Sequence, residues 1–107
     1  MKRRRATLSN ILKNADLTNF QKRVYSVVGR IPAGQVRSYQ WVAWRAGRPN
    51  AYRAVGNILH RNPYIGIVPC HRVICSDGSI GGFARGSAAK KRMLAAEGVD
   101  FGAKALL

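Results

Sequence analysis

Acidic residues are scarce in this chain, whose 107 residues carry four Asp and Glu against 19 Lys and Arg, a formal net charge of +15. So large a cationic excess in a short chain favours a polyanionic partner, with nucleic acid first among the candidates. Cysteine is scarce as well. Cys70 and Cys75 are too few for a disulfide framework. With His60 and His71 they supply four possible zinc ligands, but the C-x-x-C or H-x-x-x-H pairing that marks a zinc site is missing, so neither a metal nor another cofactor is expected. Long hydrophobic runs are also lacking. The basic opening MKRRRATLSN is not followed by the continuous apolar stretch that a signal peptide or a membrane span requires. Apolar residues are spread over several segments instead of one amphipathic stripe, which argues against a membrane-surface protein. The expectation is an intracellular protein, cytoplasmic if the cell is prokaryotic, with no membrane partner.

What the chain does have is 47% hydrophobic residues, enough for one small domain with one core. Residues 1–16 contain KRRR and few apolar anchors, which reads as a basic arm that either tracks phosphates or solubilises the chain. The folded domain is expected over 17–107. In LTNFQKRVYSVVGRI the apolar Phe20, Val24, Val27, Val28 and Ile31 recur at helical spacing, with Thr18 or Asn19 as cap and PAG at 32–34 as terminator. A short helix fits SYQWVAWRAG from about Ser38 to Gly47. A further helix fits the stretch from a cap at Asn50 to about Arg61, before Pro63.

On that last helix Val55 and Leu59 can face a core, while Arg53, Asn57 and Arg61, four apart, share another face. Two helices joined by a glycine-containing turn, the second with an outward basic stripe, match a helix-turn-helix; an ordinary helical hairpin has the same pattern, and the net charge favours DNA. After Pro63 the composition shifts to β-branched residues and glycine, with an extended segment near Val73 and Ile74 and a turn at SDG. SAAKKRMLAAEGV reads as a closing helix capped by Ser87 and stopped by Gly98. The fold class is therefore mainly α, a single small domain with a winged-helix-like helix-turn-helix, short extended segments and an active-site loop.

The chemistry concentrates in IVPCHRV, residues 67–73. A structural cysteine wants apolar neighbours and stays a protonated thiol. Cys70 instead has His71 and Arg72 beside it, and nearby positive charge with an imidazole lowers a thiol's pKa from about 8.5, which makes the thiolate accessible near neutral pH.

PCHRV, preceded by GQVRSYQ and RAVGNILHRNP and followed by SDGSIGGF and LAAEG, resembles the C-terminal DNA-binding and active-site domain of the O6-alkylguanine-DNA alkyltransferases, from about residue 17 to residue 101. That family moves an alkyl group from O6 of guanine to a cysteine that stays alkylated, so each molecule acts once. The resemblance implies Cys70 as acceptor, His71 as its base through a bound water, Glu97 as the carboxylate that orients His71, and Asn62 as a brace for the Cys70 loop. A soft thiolate suits attack on an sp³ carbon, and a base held by a third group is the general way to activate a nucleophile.

An alkyl group on a base inside a duplex is out of reach unless the nucleotide leaves the stack. The resemblance implies Arg53 as the finger that fills the gap, with Ala54, Gly56 and Asn57 on the same DNA-facing helix. It implies that Tyr39 crowds the flipped nucleotide's phosphate. The carbonyls of Cys70 and Val73, the Leu59 side chain and the Phe83–Ala84 segment would form the base pocket. Periodicity alone would make Tyr39 and Leu59 core residues, and Glu97 a helix-end surface carboxylate.

The sequence departs from the family at several positions. Tyr52 and Asn57 stand where members favour small residues around the finger, and Phe83 where many have tyrosine. Most members also carry an additional N-terminal domain, where this chain has its basic arm. Solitary domains of this kind occur among alkyltransferase-like proteins, which bind alkylated guanine without repairing it and flag it for excision by partner proteins, but these replace the cysteine. The expected function is therefore single-turnover repair of double-stranded DNA by a monomer, with the lesion sensor as the alternative. A helix-turn-helix regulator that merely contains a thiol leaves PCHRV, Asn62 and Glu97 unexplained.

Overall fold

The computed structural model describes residues 7–64, 67–80 and 86–99, and Phe83 and Ala84 lie outside them. Local sequence rules start most of the helices. Thr18 caps α2 (Asn19–Gly29): its hydroxyl accepts from the Gln21 amide at 3.1 Å, while the Gln21 side chain accepts from the Thr18 amide at 2.8 Å. This reciprocal box satisfies two of the donors that a helix start leaves unpaired. The inward face carries Phe20, Val24, Tyr25 and Val28, and Ile31 is buried just beyond the helix.

Ser38 plays the same part for α3 (Tyr39–Arg45), accepting from the Trp41 amide at 2.9 Å. Gly47, at φ +90°, then turns the chain in the left-handed region that disfavours a side chain. The second helix of the pair, α4 (Tyr52–His60), has Ala51 at its N-cap with no side-chain cap bond, so the cap expected at Asn50 is not used. The Arg48–Ala51 turn supplies the entry geometry instead, through an Ala51 amide bonded to the Arg48 carbonyl at 2.9 Å. Val55 and Leu59 enter the core, and Arg53, Asn57 and Arg61 remain exposed. The helix-turn-helix arrangement of α3 and α4 is thus present.

After α4 the chain makes a 3₁₀ turn over Cys70–Arg72 and a short strand β2 (Val73–Ile74). This strand pairs in parallel with β1 (Arg37–Ser38), Arg37 opposite Val73 and Ser38 opposite Ile74. The SDG turn follows, with Gly78 at φ +88° and its amide bonded to the Cys75 carbonyl at 3.0 Å. The last helix, α5 (Ser87–Ala96), has Gly86 at the N-cap, so Ser87 is the first helical residue and not the cap. Leu94 of α5 packs with Val36 and Ile74 into a second small cluster, which fixes α5 across the strand pair.

The stretch read as a basic arm holds a surprise. Leu8–Leu12 form a short helix, α1, capped by Thr7. Ile11 is 3% exposed and joins the main core, with Leu8 and Leu12 packed beside it. A Cβ on Gly29 would lie 2.8 Å from a Leu8 methyl, so the bare backbone of α2 is what admits α1. Ile11→Ala should therefore cost about 2–4 kcal/mol in a urea unfolding titration. No change in the unfolding midpoint would mean that α1 is not part of the cooperative unit.

Candidate active site

The proline-flanked 3₁₀ turn sets the site. It places Cys70 and His71 one after the other in the interior, 3% and 5% exposed. The approach to the turn is fixed by Asn62, itself buried. Its side-chain amide donates to the Val68 carbonyl at 3.0 Å, and its oxygen accepts from the Tyr64 amide at 2.8 Å. One side chain thus bonds the backbone on both sides of the segment leading to Cys70, which an aliphatic residue of the same size could not do.

Glu97 arrives from the other direction, at the C-cap of α5. Its Oε2 lies 3.1 Å from His71 Nε2, a close approach without the alignment of a full hydrogen bond. The same carboxylate is gripped by Arg72, whose Nε donates to Oε1 at 2.9 Å and whose Nη2 donates to Oε2. The other arm of the guanidinium donates to the Ile31 carbonyl at 2.7 Å. The Arg72 hydrogen bonds hold the Glu97 carboxyl below the usual glutamate value, with His71 adding to the effect against burial. Burial pushes His71 below the ordinary histidine value and outweighs the neighbouring Glu97 carboxylate, which pulls the other way. A histidine so placed is neutral near pH 7 and able to accept a proton. Nδ1 is the nitrogen turned away from Glu97, with no hydrogen-bond partner among the described residues.

A second polar pair lies close by. Lys90, on the α5 stretch KKR, is fully buried, and its Nζ donates to the Tyr39 hydroxyl at 3.3 Å. Burial lowers the Lys90 pKa to about 8, against the opposing pull of Cys70 and Cys75. Burial also pushes the Tyr39 phenol up to about 12, so it stays a donor throughout the neutral range. Tyr39 borders a pocket of about 180 Å³ with Gln40, Tyr52, Cys75 and Ser76. Leu59 and Val73 are buried in the core behind Cys70. On α4, Arg53, Ala54 and Asn57 face outward and Gly56 is half-buried. No described group of three or more His, Cys, Asp or Glu could hold a metal, and no described helix is long and apolar enough to cross a membrane.

Residues 19–99 match the family model described as 6-O-methylguanine DNA methyltransferase, DNA binding domain. The chain belongs to this family. It is 48% identical over 80 residues to the methylated-DNA--protein-cysteine methyltransferase of Methanosarcina barkeri, which covers 75% of this chain and 51% of that protein. Among solved structures, Mycobacterium tuberculosis OGT in complex with DNA superposes with a TM-score of 0.73 at 43% identity, covering 76% of this chain and 49% of that one. The S. pombe Atl1 structure, in complex with damaged DNA containing O6-carboxymethylguanine, superposes at 0.70 with 36% identity, covering 76% of this chain and 77% of that one. The chain spans about half the length of the methyltransferases it matches.

Within the family domain, two polar residues escaped the sequence reading. Arg72 was visible only as a cation beside Cys70, and its partners lie 25 and 41 residues away. Lys90 sits in a run of three cations, Lys90, Lys91 and Arg92, in which nothing local marks the first as buried. Its burial has a consequence for stability. The folded pKa of about 8 lies below the ordinary 10.5, so above pH 8 the native state gives up this proton before the unfolded state does. Stability contributed at this position therefore rises as pH goes from about 8 to 10. Lys90→Met should be more resistant to urea at pH 7.5 than the parent, by about 1–3 kcal/mol, with the gap closing by pH 9.5. A constant gap, or a less stable variant at both pH values, would show that the ammonium is well compensated where it lies.

Proposed function

We propose that the chain repairs double-stranded DNA by moving an alkyl group from O6 of guanine to Cys70, irreversibly and once per molecule. The observation that carries this reading is the 3.1 Å approach of His71 Nε2 to Glu97 Oε2 directly beside the buried Cys70. Glu97 engages Nε2 and so leaves Nδ1 as the nitrogen that accepts the Cys70 proton through a water. The thiolate then attacks the alkyl carbon. A sulfur–carbon bond forms as the carbon–O6 bond breaks, the electron pair goes to guanine, and a returning proton restores the base. Tyr39 supplies a hydrogen bond to the departing guanine, strengthened by the Lys90 ammonium behind it.

In the same reading the nucleotide leaves the duplex before it reacts, and Arg53 fills the space it vacates. Arg53 stands on the exposed face of α4, opposite Val55 and Leu59. Gly56 supports a close approach of DNA to this helix, because a Cβ there would meet nothing within 4 Å and the fold itself does not require glycine. Glycine inside a helix costs about 1 kcal/mol relative to alanine, which close approach of a partner would offset.

A second reading is a lesion sensor that binds O6-alkylguanine without transfer, and the likeness to Atl1 favours it. Intact mass separates the two. After incubation with a duplex containing O6-methylguanine, the parent chain and Cys75→Ser should each gain one methyl mass, and Cys70→Ala should gain none while still binding the lesion. Arg53→Ala should react far more slowly with the duplex than the parent, yet equally fast with free O6-benzylguanine. A parent chain that binds without gaining mass is a sensor. Label on Cys75 would overturn the acceptor assignment, and equal slowing of both reactions by Arg53→Ala would overturn the finger.

A further inference from the structure

Both tryptophans of the chain lie on the outer face of α3, and neither is on the α4 helix that carries the exposed Arg53, Asn57 stripe. At roughly 100° per residue, Trp41, Trp44 and Arg45 share the side of α3 opposite the buried Val42, Ala43 and Ala46. Trp44 is 58% exposed, the most exposed large apolar residue among those described. The patch is a ladder of cations and indoles. The Arg37 guanidinium lies 5.2 Å from the Trp41 ring centre, and that of Arg45 lies 5.7 Å from Trp41 and 5.9 Å from Trp44. Beside it is a pocket of about 190 Å³, lined by Arg30, Arg37, Arg45 and Trp41 with Val27 of α2 and Ile31 and Pro32 just after it, and by no carboxylate. Arg37 is fixed by donating to the Val36 carbonyl at 2.9 Å and to the Gln35 side chain at 2.7 Å, whereas Arg30 and Arg45 are exposed.

Guanidiniums stacked on indoles keep their in-plane N–H groups directed outward, where they can bind phosphate, and Trp44 presents an open aromatic face. Cations interleaved with exposed aromatics are the chemistry of single-stranded nucleic acid recognition, in which the backbone follows the charges and bases stack on the rings. A duplex keeps its bases paired and cannot use Trp44 in this way. An acidic peptide could use the charges but gains little from an indole face. We infer that the outer face of α3 is a second nucleic-acid site, which takes a single strand and is separate from the duplex face on α4.

The site can be tested on the full chain with a fluorescein-labelled oligothymidylate of about 15 nucleotides, by anisotropy for affinity and by tryptophan emission for location. Oligothymidylate should quench the emission. Trp44→Ala and Arg45→Ala should each weaken single-strand binding by about fivefold or more, and Trp44→Phe should restore most of the loss. Arg92→Ala removes the same charge from an exposed position on α5 and should change single-strand affinity by less than about twofold. Trp44→Ala should leave affinity for an undamaged duplex unchanged. The proposal fails if Trp44→Ala and Arg45→Ala match Arg92→Ala. It also fails if duplex and single-strand binding weaken together, which would make the patch part of one duplex interface. Quenching by polyglutamate of matched charge as effective as that by oligothymidylate would overturn it too, in favour of an acidic partner.

Discussion

The grip of Arg72 on Glu97 is the interaction on which the rest of the site depends. A carboxylate at the C-terminal end of a helix faces the negative end of the helix dipole and would ordinarily be unfavourable. Glu97 is held there because a planar guanidinium meets both of its oxygens, a geometry that lysine cannot supply. The same guanidinium reaches the Ile31 carbonyl at the exit of α2. One side chain thereby joins the cysteine turn, the end of α5 and the end of the first long helix. The turn after α2 packs against the same corner, since a Cβ on Gly34 would lie 3.2 Å from the Glu97 carbonyl oxygen. With Arg72 holding both carboxylate oxygens, Glu97 Oε2 is kept 3.1 Å from His71 Nε2.

That arrangement explains how a strongly cationic chain keeps a usable base in its interior. Burial depresses the His71 pKa, the anionic Glu97 pulls it back up, and the nearby Arg72 and Lys90 charges add to the lowering. The balance leaves a neutral imidazole next to Cys70 at neutral pH. Lys90 from α5 and Tyr39 from α3 form a second polar pair, the ammonium donating to the phenol oxygen at 3.3 Å.

Much of the fold was legible because local rules governed it. The cap at Thr18, Ser38 ahead of α3, the Val55 and Leu59 periodicity and the SDG turn all involve residues within a few positions of one another. What escaped was decided at long range. A five-residue α1 has no independent stability and forms because Ile11 and Leu8 find the core and the bare Gly29. Asn50 has the right chemistry for a cap, but the Arg48–Ala51 turn moves the helix start one residue on. Lys90 looks like its exposed neighbours Lys91 and Arg92, and only the placement of α5 buries it. In the site, adjacency suggested Cys70 and His71, whereas Glu97 and Asn62 came only through resemblance to a family, and the expected pocket wall at Phe83 and Ala84 lies outside the described residues.

The central claim is that Glu97, held by Arg72, makes His71 the base for Cys70. Its most direct test is the single-turnover rate of alkylation of Glu97→Gln on a duplex containing O6-methylguanine, measured near neutral pH beside its affinity for the same duplex. The account predicts a rate lower by about 100-fold or more, as expected for loss of an oriented general base, with lesion affinity retained. A Glu97→Gln variant that transfers the methyl group as fast as the parent would contradict it, and would reduce Glu97 to a helix-end ion pair.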